Sequence, residues 1–282
     1  MPSLLAIYRS PSYSPLQHLS NDIAILDAAV SHLVARGWDA SRLSESEVES
    51  GRLPVAELYL NMAQGPRASE LLTPLELDGA VVVNAPSSVL HCHRHRLVRA
   101  LAVTRIPFPR TVIVPTQGPP PRPEALEEIA GGRETVWIKR GDVHAEQPED
   151  VISATVAGVP DALRAFAARG LPWAAIQRHV GGPILKFYAV ADGRFFRWYA
   201  ADAGPSGARP QVNEQKLEEL AFEAAEALGL DIFGGDVAVP DPAAPVLIDI
   251  NDWPSFAPYR DEAARAIADY IHSKVESKRG LR

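Results

Sequence analysis

The chain has 282 residues, 46% of them hydrophobic, a net charge of −7, a pI near 5.6 and one cysteine, Cys92. Length and apolar content support a sizeable core divided among one to three subdomains. The acidic balance argues against a general nucleic-acid binder, the lone cysteine excludes an internal disulfide or multi-cysteine metal centre, and no apolar run reaches membrane-spanning length.

In chain order, residues 4–8 read as a first strand. The opening Met-Pro-Ser-Leu-Leu-Ala-Ile-Tyr-Arg lacks a basic leader region, so it reads as a strand rather than a signal peptide, and a cytoplasmic protein is the expectation. Ser20-Asn-Asp is good N-cap chemistry for a helix whose apolar face is Ile23, Leu26, Val30, Leu33 and Val34, ended by Gly37. Gly79-Ala-Val-Val-Val-Asn84 is a short buried strand. Strand and helix in alternation predict a small α/β domain with a parallel sheet over 1–85.

A helix is predicted from Ser87 to about Val103, carrying His91, His95 and several arginines. His91 and His95 have the spacing of a metal pair, and a basic solvated face fits the same residues. Thr111 to Pro115, Thr135 to Lys139 and Trp173 to Val180 read as strands, with short helices over 124–130 and 161–169. Arg140 to Asp150 is a polar loop. Ile184 to Val190 and Arg194 to Tyr199 form a hairpin about Asp192-Gly193. Gln211 to Leu228 is an amphipathic helix, and Arg260 to Ile271 another, with a charged tail expected to fray from Ser273. The boundaries expected are 1–85, a small middle subdomain over 86–175, and a last subdomain over 176–282.

The densest chemistry lies near the end. Val246-Leu-Ile-Asp249-Ile-Asn251 alternates, so Asp249 and Asn251 share one strand face. A carboxylate beside an amide oxygen is a hard donor set, suited to Mg²⁺ rather than zinc. Asp231 to Val239 is a second strand, and Pro240-Asp-Pro-Ala-Ala-Pro245 returns it as a hairpin. A pivot between Pro242 and Ala243 puts Asp236 opposite Asp249. An edge hairpin with solvated acids fits the same spacing. Lys139 and Lys186 both sit on apolar strands, where an ammonium is costly unless it meets an anion or snorkels to solvent.

Taken together, these features resemble an ATP-grasp enzyme from about Asn84 to Ile271. Arg94 stands where that family has its first nucleotide-contacting lysine, Lys139 matches the second, and Gln177-Arg-His-Val180 resembles the hinge that holds adenine. Lys186 matches a basic position facing the phosphates, and Asp236, Asp249 and Asn251 match the three metal ligands. The resemblance implies an α/β (α+β) ATP-grasp fold with an N-terminal α/β domain, ATP bound between the last two subdomains, and two Mg²⁺ ions. One departure is plain. The phosphate-covering loop is usually glycine-rich, whereas Arg140 to Gln147 contains only Gly141, with Arg140 and His144 as charged replacements.

The implied reaction is carboxylate–amine ligation through an acyl phosphate, on a small molecule or short peptide, with Lys186, Arg140 and His144 as the catalytic candidates. Two other activities fit the residues. Lys186-Phe-Tyr-Ala-Val and Asp249-Ile-Asn-Asp-Trp-Pro-Ser-Phe also resemble inositol-phosphate kinases, and Arg178, His179, Arg194 and Arg197 are further cations for a polyphosphate. A non-catalytic nucleotide-binding protein is the third. Trp253 and Phe256 are expected to pack beneath the site.

Overall fold

The computed structural model describes residues 1–13, 19–143, 145 and 147–280. Three four-stranded sheets organise them. The first is built from β1 (Ser3–Tyr8), α1 (Leu19–Val34), β2 (Asp39–Ser44), α2 (Glu45–Glu49), β3 (Leu58–Asn61), α3 (Pro66–Leu77) and β4 (Val81–Val83). It is parallel, in the order β2-β1-β3-β4. Successive residues of β1 serve opposite faces, as strand geometry requires. Leu4 and Ala6 pack with α1, and Leu5 and Ile7 with α2 and α3. A strand buried on both faces is apolar throughout, which is why this segment shows no polar alternation.

Next come α4 (Pro86–Cys92) and α5 (Arg94–Ala102). The single helix expected over 87–103 breaks at His93, which is extended at φ −63°, ψ 125°. The ring of this buried residue lies 2.9 Å from the Gln64 carbonyl, and that tertiary bond competes with helix continuity. His91 and His95 therefore stand on different helices rather than one turn apart.

The second sheet comprises β5 (Thr111–Pro115), α6 (Pro123–Ala130), β6 (Thr135–Arg140), β7 (Val151–Thr155), α7 (Val159–Ala168) and β8 (Trp173–Arg178). It is antiparallel, ordered β5-β8-β6-β7. A boundary at 175 falls inside β8; the chain leaves this sheet only after Arg178. The helices α4 and α5, grouped by sequence with this middle region, pack Cys92, Leu97 and Leu101 against the third sheet.

That third sheet is antiparallel, ordered β10-β9-β11-β12. Its elements are β9 (Ile184–Val190), β10 (Phe195–Ala200), α8 (Glu214–Leu228), β11 (Ile232–Ala238) and β12 (Val246–Asp252). The helix α8 starts at Glu214 rather than Gln211, because the Asn213 side chain caps it by accepting from Lys216 N. Last comes α9 (Arg260–Gly280), whose tail does not fray. Lys274 bonds Asp231 at 2.7 Å, Lys278 donates to the Gly79 carbonyl, and Arg279 pairs with Glu57 at 2.9 Å. No described helix is long and apolar enough to cross a membrane.

One core joins the first and third sheets. It runs from Leu4, Leu58 and Val83 through α1 and α9 to Val190, Ile232, Trp253 and Phe256. Buried Asn84 fastens the seam, donating to Ile232 O at 2.7 Å and accepting from Asp231 N and Ile232 N at 2.8 and 2.9 Å. The second sheet keeps its own core, centred on Val136, Ile138, Phe166 and Ile176.

Candidate functional site

Register builds the site. Asp236 pairs with Asp249 on one side and Lys186 on the other, and Lys186 in turn with Tyr199. Directly opposed residues share a sheet face. Tyr199, Lys186, Asp236 and Asp249 therefore form one row across the third sheet. The next row on that face is Arg197, Tyr188, Gly234 and Asn251. The opposite face, with Leu185, Phe187, Leu247 and Ile250, is buried under α8. Gly234 leaves a gap in the second row that no side chain fits: a Cβ there would lie 2.7 Å from Phe187 O and 2.9 Å from Pro254 Cγ.

The β11–β12 ladder shifts by one residue between Asp236–Asp249 and Val237–Leu247. Ile248 is the extra residue of this bulge. Its carbonyl accepts from Lys139 Nζ at 3.3 Å, so a defect in the third sheet anchors a lysine from the second.

Cations and carboxylates are interleaved here. Arg94, at the start of α5, donates from Nη1 to both Asp249 oxygens and from Nη2 to Oδ2, each at 3.2 Å. Its Nε donates to the Arg140 carbonyl at 3.0 Å. Lys186 Nζ lies 3.0 Å from Asp236 Oδ1. Burial lowers the Lys186 pKa, but the adjacent Asp236 carboxylate more than offsets this and leaves it raised. Lys139 is only 6% exposed, and burial pushes its pKa down to about 8. Asp249 and Asp236 oppose that shift, while Arg94 adds to it.

The face opens into a cleft of about 270 Å³ bounded by Arg94, Lys186, Tyr188, Asp249 and Asn251 on one side. Arg9, Tyr13, Asp22 and Gln64 of the first domain form the other. Arg9 is a clamp: it bonds Asp22 Oδ2 at 2.9 Å, Met62 O at 3.3 Å and Trp253 O at 3.1 Å. Gln64 Nε2 donates to Asp252 Oδ1 at 3.0 Å. Trp253 and Phe256 are fully buried and pack beneath.

Of the residues expected at the site, Arg94, Lys139, Lys186, Asp236, Asp249 and Asn251 come together. The Arg140 guanidinium instead pairs with Asp142 at 2.7 Å and approaches Asp150 at 3.9 Å. Gln177 is buried in the second sheet, its amide donating to Thr111 Oγ1 at 3.2 Å, and Val180 lies just past the end of β8. His144 lies outside the described residues. The first-domain wall was missed by sequence reasoning. Its one available signal was position, since Arg9 follows the C-terminal end of a parallel strand, where ligands of open α/β sheets gather. Tyr188 was also legible, two residues from Lys186 and hence on the same face.

Asp236, Asp249 and the Asn251 amide oxygen fit a hard divalent cation. Among the described residues no group of three His, Cys, Asp or Glu side chains could hold a metal.

No family model and no curated protein matches the sequence. Solved structures do match. A D-alanine–D-alanine ligase from Bacillus anthracis aligns over 100% of this chain and 99% of its own, with TM-score 0.71 and 12% identity. The same-named enzyme complexed with ATP aligns over 100% and 99%, with TM-score 0.74 and 10% identity. A RimK domain ATP-grasp protein from Sphaerobacter thermophilus aligns over 95% and 99%, with TM-score 0.64 and 19% identity.

Proposed function

We propose that this chain, which has the ATP-grasp fold, is an ATP- and Mg²⁺-dependent carboxylate–amine ligase acting on a small-molecule or short peptide substrate. The observation that carries the reading is the row Lys186, Asp236 and Asp249 on one sheet face, with Asn251 beside it, and the buried Lys139 ammonium bonded to the carbonyl of Ile248 next to Asp249. In the proposed reaction a substrate carboxylate oxygen attacks the terminal phosphorus of ATP, the bond to ADP breaks, and an acyl phosphate forms. An amine then attacks the acyl carbon, loses a proton, and expels phosphate.

Lys186 and Lys139 would hold the phosphate oxygens by charge as negative charge moves between them. Asp236, Asp249 and Asn251 would hold Mg²⁺, which when bound supplies further neutralisation of the phosphates. The buried clamp of Arg9 on Trp253 O fixes the first-domain wall against the end of β12, so the substrate side and the phosphate side keep one geometry.

Three of the further cations read as polyphosphate contacts bond other groups of the chain, which supports a ligase over a kinase. Arg178 bonds the Ile129 carbonyl at 2.8 Å, Arg194 bonds Ser273 Oγ at 2.9 Å, and Arg197 pairs with Glu262. One observation favours a binding protein without turnover. Gly141, the lone glycine of the phosphate-side loop, is fastened by bonds to Trp173 O and from His95 N, at 2.8 and 3.0 Å.

The test is ATP turnover with candidate carboxylates and amines in the presence of hydroxylamine. Phosphate release with a trapped hydroxamate supports ligation. Transfer of phosphate to an acid-stable product would instead mark a kinase, and tight ATP binding without ADP under any condition would mark a binding protein.

A further inference from the structure

Charge is unevenly laid out along the chain. Between Gly79 and Pro123 there are six arginines and no aspartate or glutamate, in a protein of net charge −7. Two of these arginines, Arg96 and Arg99, stand one turn apart on the solvent face of α5, and Val103 follows at its end with 87% of its surface exposed. Neither arginine forms an ion pair among the described residues. The helix α8 is the reverse. It carries five glutamates and one lysine, and Glu219, Glu223 and Glu226, at i, i+4 and i+7, form one exposed stripe. Leu97 and Leu101 of α5 share a core with Leu217, Leu220 and Ala224 of α8, so the two helices lie against each other with their charged faces turned outward.

We infer that this face docks a second copy of the chain. A two-fold axis running between the two helices lays the basic stripe of one protomer on the acidic stripe of its partner, and the acidic stripe on the basic one, so each contact is made twice. A partner of one sign, such as a nucleic acid, would be drawn to α5 and repelled by α8. Exposed Val103, and a groove of about 320 Å³ lined by Val98, Ala102, Ile106 and Phe108, supply apolar area beside the charges. The helix that meets the partner is also the one that carries Arg94 to Asp249, yet the inference does not depend on how the cleft is read.

The experiment is sedimentation of the full chain at an ionic strength of about 0.05 M and again at about 1 M, where charges are screened beyond roughly 3 Å. The wild type should have twice the 30.5 kDa mass of one chain in the first and the single mass in the second. Arg96→Glu with Arg99→Glu sets acid against acid, and Glu223→Lys with Glu226→Lys sets base against base, so each double variant alone should be a monomer. Mixed in equal amounts the two should dimerise, since both contacts then join opposite charges. That recovery separates pairing at these stripes from a general loss of stability. A monomeric wild type at the lower ionic strength overturns the inference whatever the variants do. A dimer that survives the higher ionic strength, or that either double variant keeps, places the contact elsewhere and overturns it too. Folded variants whose mixture stays monomeric overturn the pairing of α5 with α8. Should a variant not fold, the two wild-type masses still decide.

Discussion

The first and third sheets behave as one body, and the second sheet as another. The first and third share a continuous core and are stitched by buried polar groups: Asn84 to the start of β11, Trp253 Nε1 to Val83 O at 3.2 Å, Arg9 and Gln64 to the end of β12. The second sheet meets the rest through isolated bonds. These include His95 N to Gly141 O, Leu247 N to Pro107 O, Arg94 to the Arg140 carbonyl and Lys139 to the Ile248 carbonyl. The proposed metal ligands and Lys186 sit on the body whose burial is deep. Lys139 sits on the one that is lightly held. Burial is thus deepest around the proposed donors, and the second sheet is expected to open first.

That contrast can be broken in several ways. Asp249→Asn, on the deep body, should abolish Mg²⁺-dependent ADP release, a loss on the order of 100-fold or more; turnover at the wild-type rate would remove Asp249 from the chemistry. Lys186→Met should cost roughly 10²-fold in the same assay while leaving chemical unfolding little changed, since its partner Asp236 can still reach water.

Asn84→Ala tests the seam itself. It takes the acceptor from the Asp231 and Ile232 N–H groups, while Ile232 O keeps its bond from Trp253 N at 3.0 Å, and should cost about 2–4 kcal/mol in denaturant unfolding. A loss under ~1 kcal/mol would mean the two sheets are held by apolar packing alone. Hydrogen exchange should show β5 to β8 opening at lower free energy than β1 and β12; equal protection would erase the distinction.

The smallest effect sharpens the lightly held side. The folded pKa of Lys139, about 8, lies below its ordinary 10.5. Between those values the unfolded chain carries the extra proton, so stability rises with pH. The penalty is full below pH 8 and has vanished above pH 10.5. Lys139→Met should therefore stabilise the protein at pH 7 by up to about 3 kcal/mol, with the gain fading towards pH 10.5. A gain independent of pH would mean that packing, not charge burial, is responsible.

Local patterns made much of this legible in sequence. The proline-bounded connector pointed to Asp236 opposite Asp249, but the pairs beside it, Ala238 with Val246 and Val237 with Leu247, centre on Pro242, and it is the bulge at Ile248 that brings Asp249 opposite Asp236. What escaped depends on distant segments meeting. Glu45 is fully buried, accepting from Ser10 N at 2.6 Å, Gln64 N at 3.0 Å and Gly65 N at 2.5 Å, yet in sequence it is one more acid in an acidic stretch. His93 breaks a helix for a carbonyl 29 residues away, and α9 extends because Lys278 and Arg279 find partners in the first domain. Arg94 was read as a lysine substitute; its hold on Asp249 could not be seen without the third sheet beside it.

The bulge at Ile248 has a consequence for insertions and deletions. The connector over 239–245 lies on the far side of the register shift from Asp249, so changes in its length can be absorbed before they reach the site. Deleting Ile248 itself would restore a regular ladder with Asp249 still opposite Asp236, but it would remove the carbonyl that Lys139 uses. Length variation among descendants of this chain should accordingly collect in the connector and stop short of that residue.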